Sequence, residues 1–237
     1  MRRQIRLEKK VLSANDRLAK QLADRFRAAG ILAVNLMSSP GAGKTSLLEE
    51  TSRRLGGELR LAAIEGDLAT DRDALRLRRA GMAARQINTG RGCHLNAAQV
   101  AEALDAFDGP GQPIHLDSLD VLFIENVGNL VCPAQFDLGE RRRVVVASTP
   151  EGDDKPVKYP VVFHTADCVV LNKTDLLEAT FFSCEAFRKY VRGLAPKARI
   201  LELSCRTGEG LEAWLDWLRA ERAAAKKIDA APKFFLG

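Results

Sequence analysis

Two short segments combine residue types that an ordinary loop does not need together. SSPGAGKTS, Ser38 to Ser46, lies between an apolar run and the helical pattern Leu47 to Leu55. Gly41, Ala42 and Gly43 let consecutive backbone N–H groups curl around a phosphate, and the helix N-terminus beginning there, with Ser46 in its first turn, adds a favourable field. Lys44 is placed to reach the outer phosphates, and Thr45 to offer a hydroxyl to Mg²⁺. The strict form of this pattern has glycine six residues before the lysine; this chain has Ser38. The second segment, NKTD (Asn172, Lys173, Thr174, Asp175), leaves the apolar run CVVL. A carboxylate at Asp175 accepts two hydrogen bonds from the ring and amino N–H groups of guanine. Adenine offers no such pair, and sites of this kind reject the wrong partner by about 10⁴-fold or more.

Alone, NKTD is also a polar turn. Behind a phosphate loop, and followed by SCRTGEG (Ser204 to Gly210) at the next strand end, it reads as a base-selecting loop, with backbone around Ser204, Cys205 and Arg206 suited to the guanine carbonyl. Between these segments, FIENVG places Glu125 to hold Mg²⁺ through water and Gly128 to give an N–H to the γ-phosphate. Asp67, in the turn IEGD, is a second acidic candidate near Mg²⁺ or the attacking water; a helix-capping role is its alternative. The chemistry implied is Mg²⁺-dependent hydrolysis of GTP to GDP.

Three soft donors stand apart from that set: adjacent Cys93 and His94 in TGRGCH, and Cys132 in NLVCP. Thiolate and imidazole suit Ni²⁺, Zn²⁺ or copper rather than Mg²⁺. Gly90 and Gly92 make the first pair a loop, and Cys132 follows Glu125 on a segment expected to move with the γ-phosphate. Three donors leave a coordination position for water, another side chain or a second subunit. The alternative is that both cysteines are small core residues and His94 a surface side chain. Cys168, Cys184, Cys205, His115 and His164 carry no such pattern.

These loops need strands that end along one edge. Short apolar runs alternate with helical patterns, the signature of a mostly parallel sheet flanked by helices on both faces, an α/β fold of the P-loop NTPase kind. Strands are expected at Ile31 to Leu36, Leu61 to Ile64, Val121 to Glu125, Val144 to Ser148, Cys168 to Leu171 and Ile200 to Leu203. Helices are expected after Thr45, Thr70, Asn96, Thr180 and Thr207. Before the core, Leu18, Leu22 and Phe26 share a helical face that Ser13 or Asn15 can cap and Gly30 can end. The expected organisation is an N-terminal helical extension (1–30), a GTPase domain (31–226) and a loosely docked C-terminal tail (227–237). DGPGQP, Asp108 to Pro113, and EGDDKP, Glu151 to Pro156, read as loops.

The length of 237 residues, with 46% hydrophobic and 28% charged content, suits one substantial core. No run approaches a membrane span and no cleavable leader pattern follows MRRQIRLEKK, so a cytoplasmic location is expected. Five cysteines without framework spacing read as reduced thiols or metal ligands. Behind the net charge of +5 there is no basic stripe: apart from short runs near Arg2, Arg141 and Lys226, Arg and Lys are interspersed with acidic residues, so charge itself tells little, and no nucleic-acid or membrane partner is expected.

With these residues in hand, the chain resembles the HypB family, GTPases that help insert nickel during nickel-iron hydrogenase maturation. The resemblance runs through VLSANDRLA, SSPGAGKTS, IEGDLATDRDA, TGRGCH, ENVGNLVCP, EGDDKP, NKTD and SCRTGEG, in that order. It implies a SIMIBI-type GTPase and a GTP-linked homodimer with slow hydrolysis. It also implies an interfacial Ni²⁺ or Zn²⁺ site at Cys93, His94 and Cys132. The partners implied are a HypA-type nickel chaperone, for which the N-terminal segment is a docking surface, and a hydrogenase large-subunit precursor. Some relatives carry a cysteine-rich or histidine-rich N-terminal motif; the first cysteine here is Cys93, so no second nickel site is expected. Related GTPases serving urease or cobalamin enzymes, and a zinc-stabilised interaction module without activity, are the competing expectations.

Overall fold

The computed structural model describes residues 2–67, 71–90, 92–107 and 116–229. In chain order the elements are α1 (Arg2–Ala28), β1 (Leu32–Ser38), α2 (Lys44–Leu55), β2 (Leu61–Asp67), α3 (Arg72–Arg79), β3 (Ala83–Asn88) and α4 (Ala97–Phe107). There follow β4 (Val121–Glu125), β5 (Arg142–Ser148), α5 (Lys155–Lys158), α6 (Pro160–His164), β6 (Cys168–Asn172), α7 (Cys184–Leu194), β7 (Arg199–Glu202) and α8 (Leu211–Asp229). Seven strands form one sheet in the order β3-β2-β4-β1-β5-β6-β7, and every neighbouring pair is parallel.

Apolar runs without alternation arise because both faces of the sheet are covered. Along β1, Leu32, Val34 and Leu36 pack with Leu47, Leu48 and Leu55 of α2 and Trp214 and Leu218 of α8. Ala33 points the other way, into a cluster with Leu22 and Phe26 of α1 and Val100 and Leu104 of α4. Each buried leucine, valine or phenylalanine side chain among these contributes about 1.5–3 kcal/mol. The Trp214 indole N–H donates to Thr51 Oγ1 at 2.8 Å, so burial of that ring leaves no donor unpaired. No helix among the described residues is long and apolar enough to cross a membrane.

The structure adds to and corrects the sequence expectations. The seventh strand, β3, was not among the six expected. Its sequence AARQIN buries only Ala84 fully, because it is an edge strand with polar residues on both faces. Helix α1 begins a full eleven residues before the expected Ser13 cap, so Ser13 and Asn15 lie inside it. Asn15 instead accepts from the Ala97 N–H at 2.9 Å, at the start of α4, and donates to the Asp137 carbonyl at 2.8 Å. The segment expected to stand outside the core thus contributes Ala19, Leu22 and Phe26 to it. The helix expected after Thr180 is α7, which starts at Cys184 with Ser183 Oγ accepting from the Ala186 N–H. Helix α8 continues to Asp229, beyond the expected start of the tail. EGDDKP is loop only in part, since α5 begins at Lys155. Thr70, the DGPGQP turn, His115 and the end of the tail lie outside the described residues.

Candidate functional site

Because all strands are parallel, the loops that follow β1, β2, β3, β4, β6 and β7 emerge along the same edge, the place where open α/β sheets bind ligands. A cavity of about 470 Å³ opens there, lined by Gly41, Gly43, Lys44, Thr45, Ser46, Asp67, Glu125 and Gly128 among others. Gly43 takes φ 100° at the start of α2, and a Cβ there would run into the Asn172 amide. No side chain caps α2, which leaves its first-turn N–H groups for an anion.

Lys44 Nζ donates to Ser38 Oγ at 2.9 Å and stands 3.8 Å from Glu125 Oε1. The residue found where a glycine was expected therefore supports the lysine. Thr45 Oγ1 donates to the same Glu125 oxygen at 2.9 Å. The other oxygen, Glu125 Oε2, is buried without a hydrogen-bond partner. A buried carboxylate with an unsatisfied oxygen beside a hydroxyl and a phosphate cradle is a donor set that fits Mg²⁺. Gly128 packs so closely that a Cβ would lie 3.0–3.1 Å from Pro40. Asp67 ends β2 half-buried on the cavity wall.

A second cavity of about 360 Å³ adjoins the first, sharing Gly43, Ser46 and Lys173, and is lined by Asn172, Asp175, Cys205 and Arg206. Asn172 joins its loops: Nδ2 donates to the Ala42 carbonyl at 3.0 Å, while Oδ1 accepts from the Cys205 N–H at 3.1 Å. That N–H, expected to meet a guanine carbonyl, here serves the Asn172 clamp. Lys173 adopts φ 61° and donates from Nζ to the Gly41 carbonyl at 2.7 Å. Ser204 Oγ donates to Asp175 Oδ1 at 2.6 Å and accepts from the Arg206 N–H at 3.2 Å, which fixes the carboxylate's direction. Burial pushes the Cys205 thiol up to about 12, so it stays neutral beside this cavity.

The three soft donors come together. Ligand atoms of Cys93, His94 and Cys132 lie within 4.8 Å of one another, with Cys93 Sγ 3.6 Å from His94 Nδ1. The His94 ring stacks on Phe136 at 3.9 Å between centroids. Burial lowers the imidazole's affinity for a proton, which keeps its lone pair available near neutrality. A hydrogen bond with the Cys132 side chain, and then burial, raise the Cys93 thiol, so Cys93 holds a proton that a metal would displace.

Several residues of this edge were not singled out from sequence. Asn126 Oδ1 accepts from the Leu95 N–H at 3.0 Å, and Asn129 Nδ2 donates to the Cys93 carbonyl at 3.3 Å. The Thr89 N–H donates to the Asp67 carbonyl at 2.9 Å, and the Thr89 hydroxyl lies 2.9 Å from the Gly92 carbonyl. Apart from the local Thr89–Gly92 turn, these contacts join segments distant in sequence, and no spacing rule announces them. Arg76 of α3 lines the phosphate cavity and donates to Ser46 Oγ and Glu49. Glu65 had a readable signal, a charge at the end of the apolar run LAAI. It is buried in β2 beside Glu125, and burial, then the charge of Glu125, push its carboxyl well above the usual range.

The chain is similar to known proteins in sequence and in fold. The family model of the CobW/HypB/UreG nucleotide-binding domain matches residues 32–202. The hydrogenase maturation factor HypB of Azotobacter vinelandii is 49% identical over 232 residues, spanning 96% of this chain and 74% of that protein. The crystal structure of HypB from Helicobacter pylori in complex with nickel superposes with a TM-score of 0.84 at 39% identity, over 89% of this chain and 96% of that one. A likeness in fold alone extends to the signal recognition particle 54 kDa protein of Aeropyrum pernix, at a TM-score of 0.52 and 13% identity over 83% of this chain and 49% of that one. With a SIMIBI-class sheet, a nucleotide-binding family match over most of its length and this level of identity, the chain belongs to the HypB hydrogenase maturation factors within the CobW/HypB/UreG family.

Proposed function

We propose that the chain is a cytoplasmic GTPase that uses nucleotide state to control the binding of nickel for nickel-iron hydrogenase maturation. The observation that carries this reading is the placement of Cys132 on the segment that also holds Glu125, close enough to Cys93 and His94 for one ion. In this reading GTP lies across both cavities, its base read by Asp175 and steadied by Asn172, Lys173 and the Ser204 to Arg206 backbone. Lys44 turns from Ser38 to the outer phosphates, and backbone N–H groups from Gly41 to Ser46 cradle them. Thr45, Asp67 and Glu125 would hold Mg²⁺, which supplies charge neutralisation at the phosphates. Gly128 directs its N–H to the γ-phosphate, and hydrolysis proceeds by positioning of water rather than by a strong base.

Nickel is the cargo, gripped by Cys93, His94 and Cys132. These donors also suit Zn²⁺, and selection between the two metals rests on geometry and supply rather than on donor type. A nickel complex of the similar Helicobacter pylori protein supports nickel as the cargo. Three donors from one subunit favour a homodimer that completes the site. The partners are a HypA-type chaperone, docking on the N-terminal segment, and a hydrogenase large-subunit precursor. The test is turnover: Thr45→Ala should abolish Mg²⁺-dependent GTP hydrolysis, and hydrolysis at the parent rate would defeat the assignment.

A further inference from the structure

Glu65 and Glu125 are partners in register on the neighbouring parallel strands β2 and β4. Side chains so placed stand about 5 Å apart on one face of the sheet, where like charges repel. Both are almost fully buried, and both line the phosphate cavity. Each keeps one oxygen, Glu65 Oε1 and Glu125 Oε2, without a hydrogen-bond partner. A buried charge normally has such partners or is not kept as a charge. Two residues earlier on the same face of β2, Ala63 packs into the apolar core, so an apolar side chain would meet the demands of the fold at this position. Lys44 lies 3.8 Å from Glu125, and a nucleotide's phosphates would draw it away. A dication on the cavity side would offset the charge of the pair, and hard oxygens suit a hard dication.

We propose that Glu65 is a further carboxylate of the magnesium site, acting with Asp67 and Glu125 by holding water of the ion's hydration shell. The inference rests on reading this cavity as the site of a Mg²⁺-bound guanine nucleotide. Glu65 is thus a positioning residue for the ion and makes no contact with the reacting phosphorus.

The experiment loads fluorescent GDP onto the parent chain and Glu65→Gln in EDTA, then titrates Mg²⁺ and follows the slowing of nucleotide release. At the GDP occupancy that each protein reaches in EDTA, the Mg²⁺ midpoint of Glu65→Gln should lie about 10- to 100-fold above the parent's. A residue that only supports the fold would alter thermal stability and leave that midpoint in place, which overturns the proposal. If Glu65→Gln takes up no GDP in EDTA, Glu65→Asp, with the charge on a shorter arm, carries the same titration: a raised midpoint supports the proposal and an unchanged one overturns it. A parent chain that binds no GDP overturns both this proposal and the nucleotide reading, and shows it before any Mg²⁺ is added.

Discussion

Asn126 Oδ1 accepts a hydrogen bond from the Leu95 backbone N–H at 3.0 Å, tying the residue that follows Glu125 to the residue that follows His94. The same side chain reaches Asn35 Oδ1 on β1 at 3.4 Å, so it is anchored to the centre of the sheet. A displacement of the segment after Glu125 would therefore pull on both arms of the thiol–imidazole cluster, through Cys132 on one side and Leu95 on the other.

Asn126→Ala should break this tie. The ratio of nickel affinities between the GDP and GTP-analogue forms should move toward unity by about 0.5–2 kcal/mol, the usual scale for a residue that carries coupling. Leaving the buried Leu95 N–H unpaired should also cost about 1–3 kcal/mol of stability. Metal titrations in each nucleotide state, beside a urea melt, separate the two effects; an unaltered ratio would remove Asn126 from the coupling.

Base selection should reside in Asp175, whose carboxylate is aimed by Ser204. Asp175→Asn replaces an acceptor with an amide, so GDP binding should fall by about 100-fold or more. Xanthine carries an oxygen in place of guanine's amino group, and a xanthine nucleotide should bind the variant better than the parent. Competition against fluorescent GDP measures both, and equal GDP affinity in variant and parent would contradict the assignment.

What could be read from the residues differs sharply between elements. The P-loop and NKTD were legible because each needs several residue types within a few positions. The central strands were legible because burial on both faces makes them continuously apolar. β3 was not, since an edge strand such as AARQIN needs little apolar surface, although it delivers the loop that carries Cys93 and His94. The three soft donors were visible by type, but their meeting depends on Phe136, Asn129 and Asn126, which act across long sequence separations. Glu65 could have been noticed as a charge in an apolar strand; that it stands beside Glu125 follows only from the strand order.

The fold has an acid-sensitive joint away from the cavities. Asp120 is held by Arg222 at 2.9 Å and Arg60 at 3.2 Å. Burial by itself raises its carboxyl, but hydrogen bonds from Arg222 and Arg60 outweigh this and hold it well below the usual carboxylate range. A carboxyl lowered on folding stabilises fully above its unfolded value of about 3.9 and loses that contribution as pH falls through the folded value. Asp120→Ala strands the buried Arg222 and should cost about 3–5 kcal/mol at pH 7. The difference in stability from the parent should shrink as the pH is lowered below about 4. Denaturant melts of both proteins across pH 2–7 check the sign.

A Cβ on Gly128 would lie 3.0–3.1 Å from Pro40, tighter than an ordinary contact, so the neighbour must give by a few tenths of an ångström. Gly128→Ala should push apart the phosphate loop and the segment after Glu125. Hydrolysis should slow by about 10-fold, less than the roughly 100-fold that a displacement of about 1 Å costs. GDP binding, which does not involve the γ-phosphate, should change much less, and single-turnover rates beside GDP titrations make that comparison.

The most direct measurement is a nickel titration of the parent chain and Cys132→Ala, by competition with a chromophoric chelator, in the nucleotide-free, GDP–Mg²⁺ and GTP-analogue–Mg²⁺ forms. The predicted result is a parent whose nickel affinity differs by about 10-fold or more between the last two forms, a typical coupling between sites, and a Cys132→Ala variant that binds weakly and equally in all three. A parent that grips nickel identically in every nucleotide state, or a variant as tight as the parent, would contradict the account.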